Sequence, residues 1–330
     1  MNAVLFVGHG SRDPEGNEEV RIFVASVAKM LGEPIVETCF LEFESPTIAQ
    51  GIQTCVDRGA TLVAVVPITL FAAGHAKLHI PAAIDAAKQK YPDVLFVYSR
   101  PIGVHELALD ILSSRLEEAG IDLEENAEDT ALLVIGRGSS DADANSDLYK
   151  ISRLLWERLK VKWVETAFIG VTAPLADEGV ERCVKLGAKR IVMLPYFLFT
   201  GVLIKRLEQM KGEFAKKHPD RSFVLADYFG FHPKLSEILK ERANEALYGE
   251  VRMNCDMCHF RLEAAKHMDH HHHHDHDHHH NHEHHDHHHD HNHEHDDHHH
   301  DHNHEHDDHH DHDHEHERQK PTVKSKEVYL

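Results

Sequence analysis

One stretch of this sequence occurs twice, and the duplication limits the possible folds more than any other feature. Val4-Leu5-Phe6-Val7-Gly8-His9-Gly10-Ser11 returns 128 residues later as Leu133-Val134-Ile135-Gly136-Arg137-Gly138-Ser139, with Arg137 in the place of His9. At that offset Glu37-Thr38 matches Glu165-Thr166, Pro46 matches Pro174, Cys55 matches Cys183, Gly59-Ala60 matches Gly187-Ala188, Pro67 matches Pro195 and Lys77 matches Lys205. After a slip of one residue, Phe96-Val97 matches Phe223-Val224, and Gly103 and His105 match Gly230 and His232. A repeat this long is a domain rather than a solenoid unit.

Within each copy, short apolar runs alternate with helical spacing. In the first copy strands are expected over 4–7, 35–43, 62–67 and 94–98. Helices are expected over 17–31, over 47–57 with Ser45 as cap and Pro46 at its first position, and from near Pro81 after a loop through His75. The second copy repeats the cycle from 131 to 247. Alternating strands and helices imply a parallel sheet with right-handed crossovers and helices on both faces. The expected fold class is therefore α/β, in two similar lobes that each have a parallel sheet flanked by helices, followed by a disordered His-rich C-terminal tail. A pseudo-twofold between the lobes would face their strand ends onto one cleft.

Composition divides the chain further. Residues 267–316 hold 30 of the 37 histidines and 16 acidic residues with no Lys or Arg, so the formal charge of −21 belongs mainly to this tail. The body before it is mildly acidic and has no basic stripe, which argues against nucleic acid as a partner. No apolar run approaches the length of a membrane span, and the chain opens directly into a strand; a cytoplasmic location is expected. The expected organisation is an N-terminal lobe over 1–120, a degenerate second lobe over 130–248, a cysteine-containing segment over 249–266, the tail over 267–316 and an end segment over 317–330.

The copies differ where chemistry is expected. His9, Glu42 and His75 fall at the carboxyl ends of the first three strands, where open α/β sheets bind ligands. Their counterparts are Arg137, Gly170 and Leu203. Two imidazoles and a carboxylate can bind a divalent ion and leave positions open, and imidazole also accepts protons at neutral pH. Glu44 is an alternative to Glu42. Ser11 and Arg12 are candidate donors to an anionic substrate, although both are also ordinary loop residues. His105 and His232 persist in both copies and read as structural features of helix starts.

These residues resemble the class II tetrapyrrole chelatases, and within them the long-form sirohydrochlorin cobaltochelatases. The likeness rests on the two copies, Gly8-His9-Gly10-Ser11, the strand end with Glu42 and Pro46, Gly74-His75, Met253-Asn254-Cys255-Asp256-Met257-Cys258 and the histidine-rich tail. It implies a lyase that inserts Co2+ into sirohydrochlorin with release of two protons, in the early cobalt insertion route to cobalamin. By resemblance, His9 and His75 are catalytic and hold the metal, with Glu42 as a further ligand or proton acceptor. Ser11 and Arg12 are assigned to the carboxylate periphery by position alone. Insertion of iron to give sirohaem, or a metal-storage role, is the alternative, since an N/O ligand set does not exclude other divalent ions.

Cys255 and Cys258 alone can be half a zinc site, a redox pair or cluster ligands. The resemblance favours a 4Fe-4S cluster, which needs four thiolates. Either a second chain supplies the missing pair, implying a homodimer, or His259, Cys39, Cys55 or Cys183 supplements it. The tail, with imidazoles interleaved among carboxylates, is expected to bind divalent metal ions as a reservoir.

Overall fold

The computed structural model describes residues 1–121 and 128–249. The expectations placed on Cys255, Cys258, the tail and the end segment lie outside the described residues, as does the side chain of His75.

The first repeat forms strands β1 (Asn2–Gly8), β2 (Ile35–Phe40), β3 (Leu62–Pro67) and β4 (Leu95–Tyr98). They make one parallel sheet in the order β2-β1-β3-β4. Helices α1 (Pro14–Leu31), α2 (Ile48–Asp57), α3 (Ile80–Lys90) and α4 (Glu106–Glu118) connect and flank it. The second repeat places β5 (Thr130–Gly136), β6 (Trp163–Phe168), β7 (Arg190–Pro195) and β8 (Ser222–Leu225) in the matching order β6-β5-β7-β8. Its helices are α5 (Ala142–Arg158), α6 (Ala176–Lys185), α7 (Val202–Lys217) and α8 (Pro233–Tyr248). The interior positions of the central strands are apolar because both faces are covered. In β1, Val4 and Phe6 face one core, while Ala3, Leu5 and Val7 face another against α2 and α3.

The first of those cores runs through both repeats, joining Val4 and Phe6 to Leu132 and Val134 of β5. Helix α8 crosses from the second repeat to pack on β3, β4 and α1 of the first, and α4 packs against α5 and α8. Buried Arg242 of α8 donates to the carbonyls of Pro101 (3.0 Å) and Ile102 (3.1 Å), and Ser99 Oγ donates to the Arg242 carbonyl (3.0 Å). In return Arg115 of α4 donates to the Phe229 carbonyl at 2.7 Å. These bonds satisfy backbone groups that would otherwise be stranded in an apolar interface.

A duplicated ion pair also joins the repeats. Lys77 Nζ lies 2.6 Å from Asp141, which caps α5, and 3.4 Å from Asp143. Lys205 Nζ lies 2.7 Å from Asp13, which caps α1, and 2.9 Å from Glu15. The first lysine is buried, at 6% side-chain exposure, and the second is half exposed, at 50%.

Three local expectations change. Strand β2 stops at Phe40 rather than 43, and beyond it Phe43 takes a positive φ of 62°, which no strand residue adopts. The cap of α2 is Thr47, which exchanges bonds with Gln50, while the Pro46 carbonyl, still ahead of the helix, accepts from Phe40 N at 2.8 Å. The segment expected as a loop into Pro81 is instead a π-helical turn, His75–His79, that runs directly into α3. No described helix is long and apolar enough to cross a membrane.

Candidate active site

His9 follows β1, the strand between β2 and β3, at the point where the sheet order reverses. That is where open α/β sheets bind ligands. Gly10 has φ +88°, and a Cβ there would overlap the Glu42 carbonyl oxygen. Glycine therefore lets the His9 loop lie directly on the chain leaving β2. Pairing continues past the strand ends, with Leu41 N donating to the Gly8 carbonyl (2.9 Å) and Glu42 N to the His9 carbonyl (3.1 Å). This ladder holds Glu42 beside His9.

The ring of His9 is held from both nitrogens. Nδ1 lies 3.1 Å from the Gly10 carbonyl oxygen and 3.4 Å from Glu42 Oε1. Nε2 lies 3.1 Å from Nη1 of Arg137. A carbonyl only accepts and a guanidinium only donates, so the contacts select the neutral tautomer with its proton on Nδ1 and its lone pair on Nε2. Burial, then the Arg137 charge, lowers the pKa of His9 below the ordinary imidazole value, against the Gly10 bond and Glu42, which raise it. Neutral imidazole is the form that binds a metal or accepts a proton.

Glu42 Oε1 is buried and takes no hydrogen bond. An orphaned carboxylate oxygen beside an imidazole is a position that a cation satisfies. The neighbouring Glu44 is instead taken up by Arg21 (2.7 Å), Asn17 (2.9 Å) and Ser45 N (3.1 Å), and the Arg21 bond lowers its pKa. His75 opens the π-helical turn after β3, a form that often marks a functional site. The turn is secured by the Lys77 pair with Asp141 and by Tyr98, whose hydroxyl donates to the Ala76 carbonyl at 2.7 Å. Among the described residues no group of three His, Cys, Asp or Glu side chains forms a metal cage. His9 and Glu42 make a pair.

Ser11 builds the loop. Its Oγ accepts from Asp13 N (3.0 Å), and its backbone exchanges bonds with Asn17 at 2.8 Å each. Ser139, Asp141 and Asn145 reproduce the pattern in the second repeat. Accepting leaves the hydroxyl hydrogen of Ser11 able to donate. Arg12 is exposed, with its guanidinium carbon 4.9 Å from the centre of the Phe43 ring. His105 and His232 cap α4 and α8, accepting from Leu107 N (3.1 Å) and Lys234 N (3.2 Å).

Sequence reasoning paired Arg137 with His9 as equivalents without bringing them together, and it left Lys77 and Asp141 unused. The signal is the equivalence itself: His9 and Arg137 follow matching first strands, and the structure brings them to 3.1 Å. Cys39, Cys55 and Cys183 are buried, and burial pushes Cys55 and Cys183 up to about 12 and Cys39 further in the same direction. They pack in the apolar cores beneath the two sheets, Cys39 and Cys55 in the first repeat and Cys183 in the second.

Comparison with known proteins bears on both repeats. The CbiX family model matches residues 3–119 and again 131–246. The chain is 65% identical over 272 residues to a sirohydrochlorin cobaltochelatase of Priestia megaterium, covering 82% of this chain and 88% of that protein. A sirohydrochlorin ferrochelatase of the same organism is 40% identical, over 75% of this chain and 91% of its own. Among solved structures, SirB from Bacillus subtilis with Fe3+ superposes with a TM-score of 0.67 at 34% identity, covering 75% of this chain and 96% of that one. With each repeat matched in turn by the same model, the chain belongs to the CbiX family.

Proposed function

We propose that this chain is a chelatase that inserts Co2+ into sirohydrochlorin and releases two protons. The observation that carries the metal and substrate is the 65% identity, over most of both chains, to the Priestia megaterium cobaltochelatase. The neutral His9 ring beside the orphaned Glu42 oxygen supports the same chemistry. Insertion requires Co2+ to shed water, two pyrrole N–H protons to leave and the macrocycle to present its nitrogens.

We assign the metal to His9, Glu42 and His75, with the two imidazoles able to take protons once the metal has passed to the macrocycle. Ser11 and Arg12 would meet peripheral carboxylates. The lobes over 1–120 and 130–248 then divide the work, the first carrying the ligands and the second walling the cleft, and we place the chain in the cytoplasm. The tail over 267–316 would hold divalent metal as a reservoir. Cys255 and Cys258 would supply two thiolates of a 4Fe-4S cluster, while Cys39, Cys55 and Cys183 lie buried in the apolar cores of the two repeats. A cluster shared by two chains would make a homodimer. Iron and sulfide analysis of anaerobically purified protein tests this, and absence of both after reconstitution rejects it.

The test of the main reading is anaerobic absorbance spectroscopy of sirohydrochlorin with the protein and either Co2+ or Fe2+, beside the His75→Ala variant. Faster Co2+ insertion that the variant loses is expected. Preference for Fe2+ would move the chain to the ferrochelatase reading, which the 40%-identical relative favours. No acceleration with either metal would leave metal storage.

A further inference from the structure

Arg137 occupies in the second repeat the place that His9 holds in the first, and the two side chains meet at 3.1 Å through Nη1 and Nε2. A guanidinium has no lone pair to offer, so this contact uses the lone pair of the imidazole. The other ring nitrogen already faces the Gly10 carbonyl and Glu42. Nε2 is therefore the nitrogen through which His9 can bind a cation, and Arg137 covers it.

A divalent cation and Arg137 compete for one lone pair, and their like charges prevent them from sharing it at contact distance. Arg137 must move before His9 can accept metal. The residue is exposed and its side chain is long, so it can reorient without disturbing the core. A planar guanidinium finds its best partner in a carboxylate, which it grips with two parallel bonds. On the chelatase reading, the substrate brings such carboxylates to this cleft.

Resting on that reading, we propose that Arg137 is a gate: it caps Nε2 of His9 until a substrate carboxylate draws it away, so that His9 takes metal only when the macrocycle is present. The second repeat then contributes a residue that decides when the ligands of the first are available. An uncapped His9 would bind divalent ions with no acceptor at hand.

The test uses the full chain. Co2+ binding is measured by equilibrium dialysis with free Co2+ fixed by a metal buffer. The share that depends on His9 is the difference between each chain and the same chain carrying His9→Ala, which subtracts binding by the tail. In the Arg137→Gln chain this share is expected to tighten about tenfold, as a charge-assisted competitor is removed. Arg137→Lys keeps the charge and a donor and is expected to tighten it less. In insertion assays Arg137→Gln is expected to lower the KM for Co2+ and raise that for sirohydrochlorin. Unchanged or weaker His9-dependent binding overturns the gate, and a tighter one with unchanged KM for sirohydrochlorin overturns its release by substrate carboxylate. Failure of the unaltered chain to insert Co2+ is a separate result: it removes the chelatase reading and with it the substrate's part in the gate, while dialysis still decides whether Arg137 caps His9.

Discussion

The two repeats share a sheet order, a serine–asparagine loop after the first strand and an aspartate cap on the first helix, bond for bond. They part at three strand ends. After the first strand stands His9 or Arg137, after the second Glu42 or Gly170, and after the third a π-helical turn or the regular start of α7. Since the second repeat folds without the histidines, the glutamate or the π turn, the fold does not need them. On our assignment of the site, chemistry sits on positions that the framework leaves open.

The sharpest test of this contrast alters equivalent glycines. Gly10→Ala would drive a Cβ into the Glu42 carbonyl, and Gly138→Ala would do the same to that of Gly170. Each is expected to cost about 1–3 kcal/mol in urea unfolding. Only the first moves the Glu42 carboxylate, which we assign to the metal, and displacement on the order of 1 Å is expected to slow insertion about a hundredfold. Equal losses of rate in both variants would break the comparison.

A second contrast lies in the duplicated ion pair. Lys77→Met strands Asp141 in a nearly closed environment, and thermal or urea unfolding is expected to show a loss of about 3–5 kcal/mol. Lys205→Met touches a half-exposed pair screened by water and is expected to change stability little. A comparable loss from both would mean that burial does not distinguish the two joints.

The smallest effect concerns His232, the cap of α8. Burial, then Arg115, lowers its folded pKa below the ordinary value. In the window below about 6.5, the unfolded imidazole is protonated while the folded one resists, so the unfolded state binds more protons. The contribution is thus complete above that pH and declines as pH falls towards the folded value. His232→Asn keeps a capping acceptor that does not titrate. Its melting temperature is expected to fall less than that of the unaltered chain between pH 7.5 and 5.5, and an identical fall would remove His232 from the acid response.

Much of the framework was legible because it is local. Buried strands announce themselves as short apolar runs, and β3 begins and ends where the run over 62–67 does. What escaped depended on distance or strain. A bulky Phe43 at positive φ leaves no mark in composition, so β2 was read three residues too long. A π turn over His75–His79 uses the same residues as a loop would. Glu42 and Glu44 differ by two positions, and the bonds from Arg21, Asn17 and Ser45 N separate a tied carboxylate from an orphaned one. Arg137 reaches His9 through the packing of two halves, which periodicity within either half does not record.

The crossing of α8 onto the first sheet makes each half an incomplete object. Residues 1–121 leave the faces of β3 and β4 bare where α8 lies, and no helix of their own replaces it. The half that bears His9 and Glu42 thus shares its core with the last helix of the other half. Severing the chain within 122–127 would yield two pieces with complementary sticky faces, each a folding partner for the other. The second repeat, which carries Arg137 and Gly170 where the first carries His9 and Glu42, still closes the core of the first.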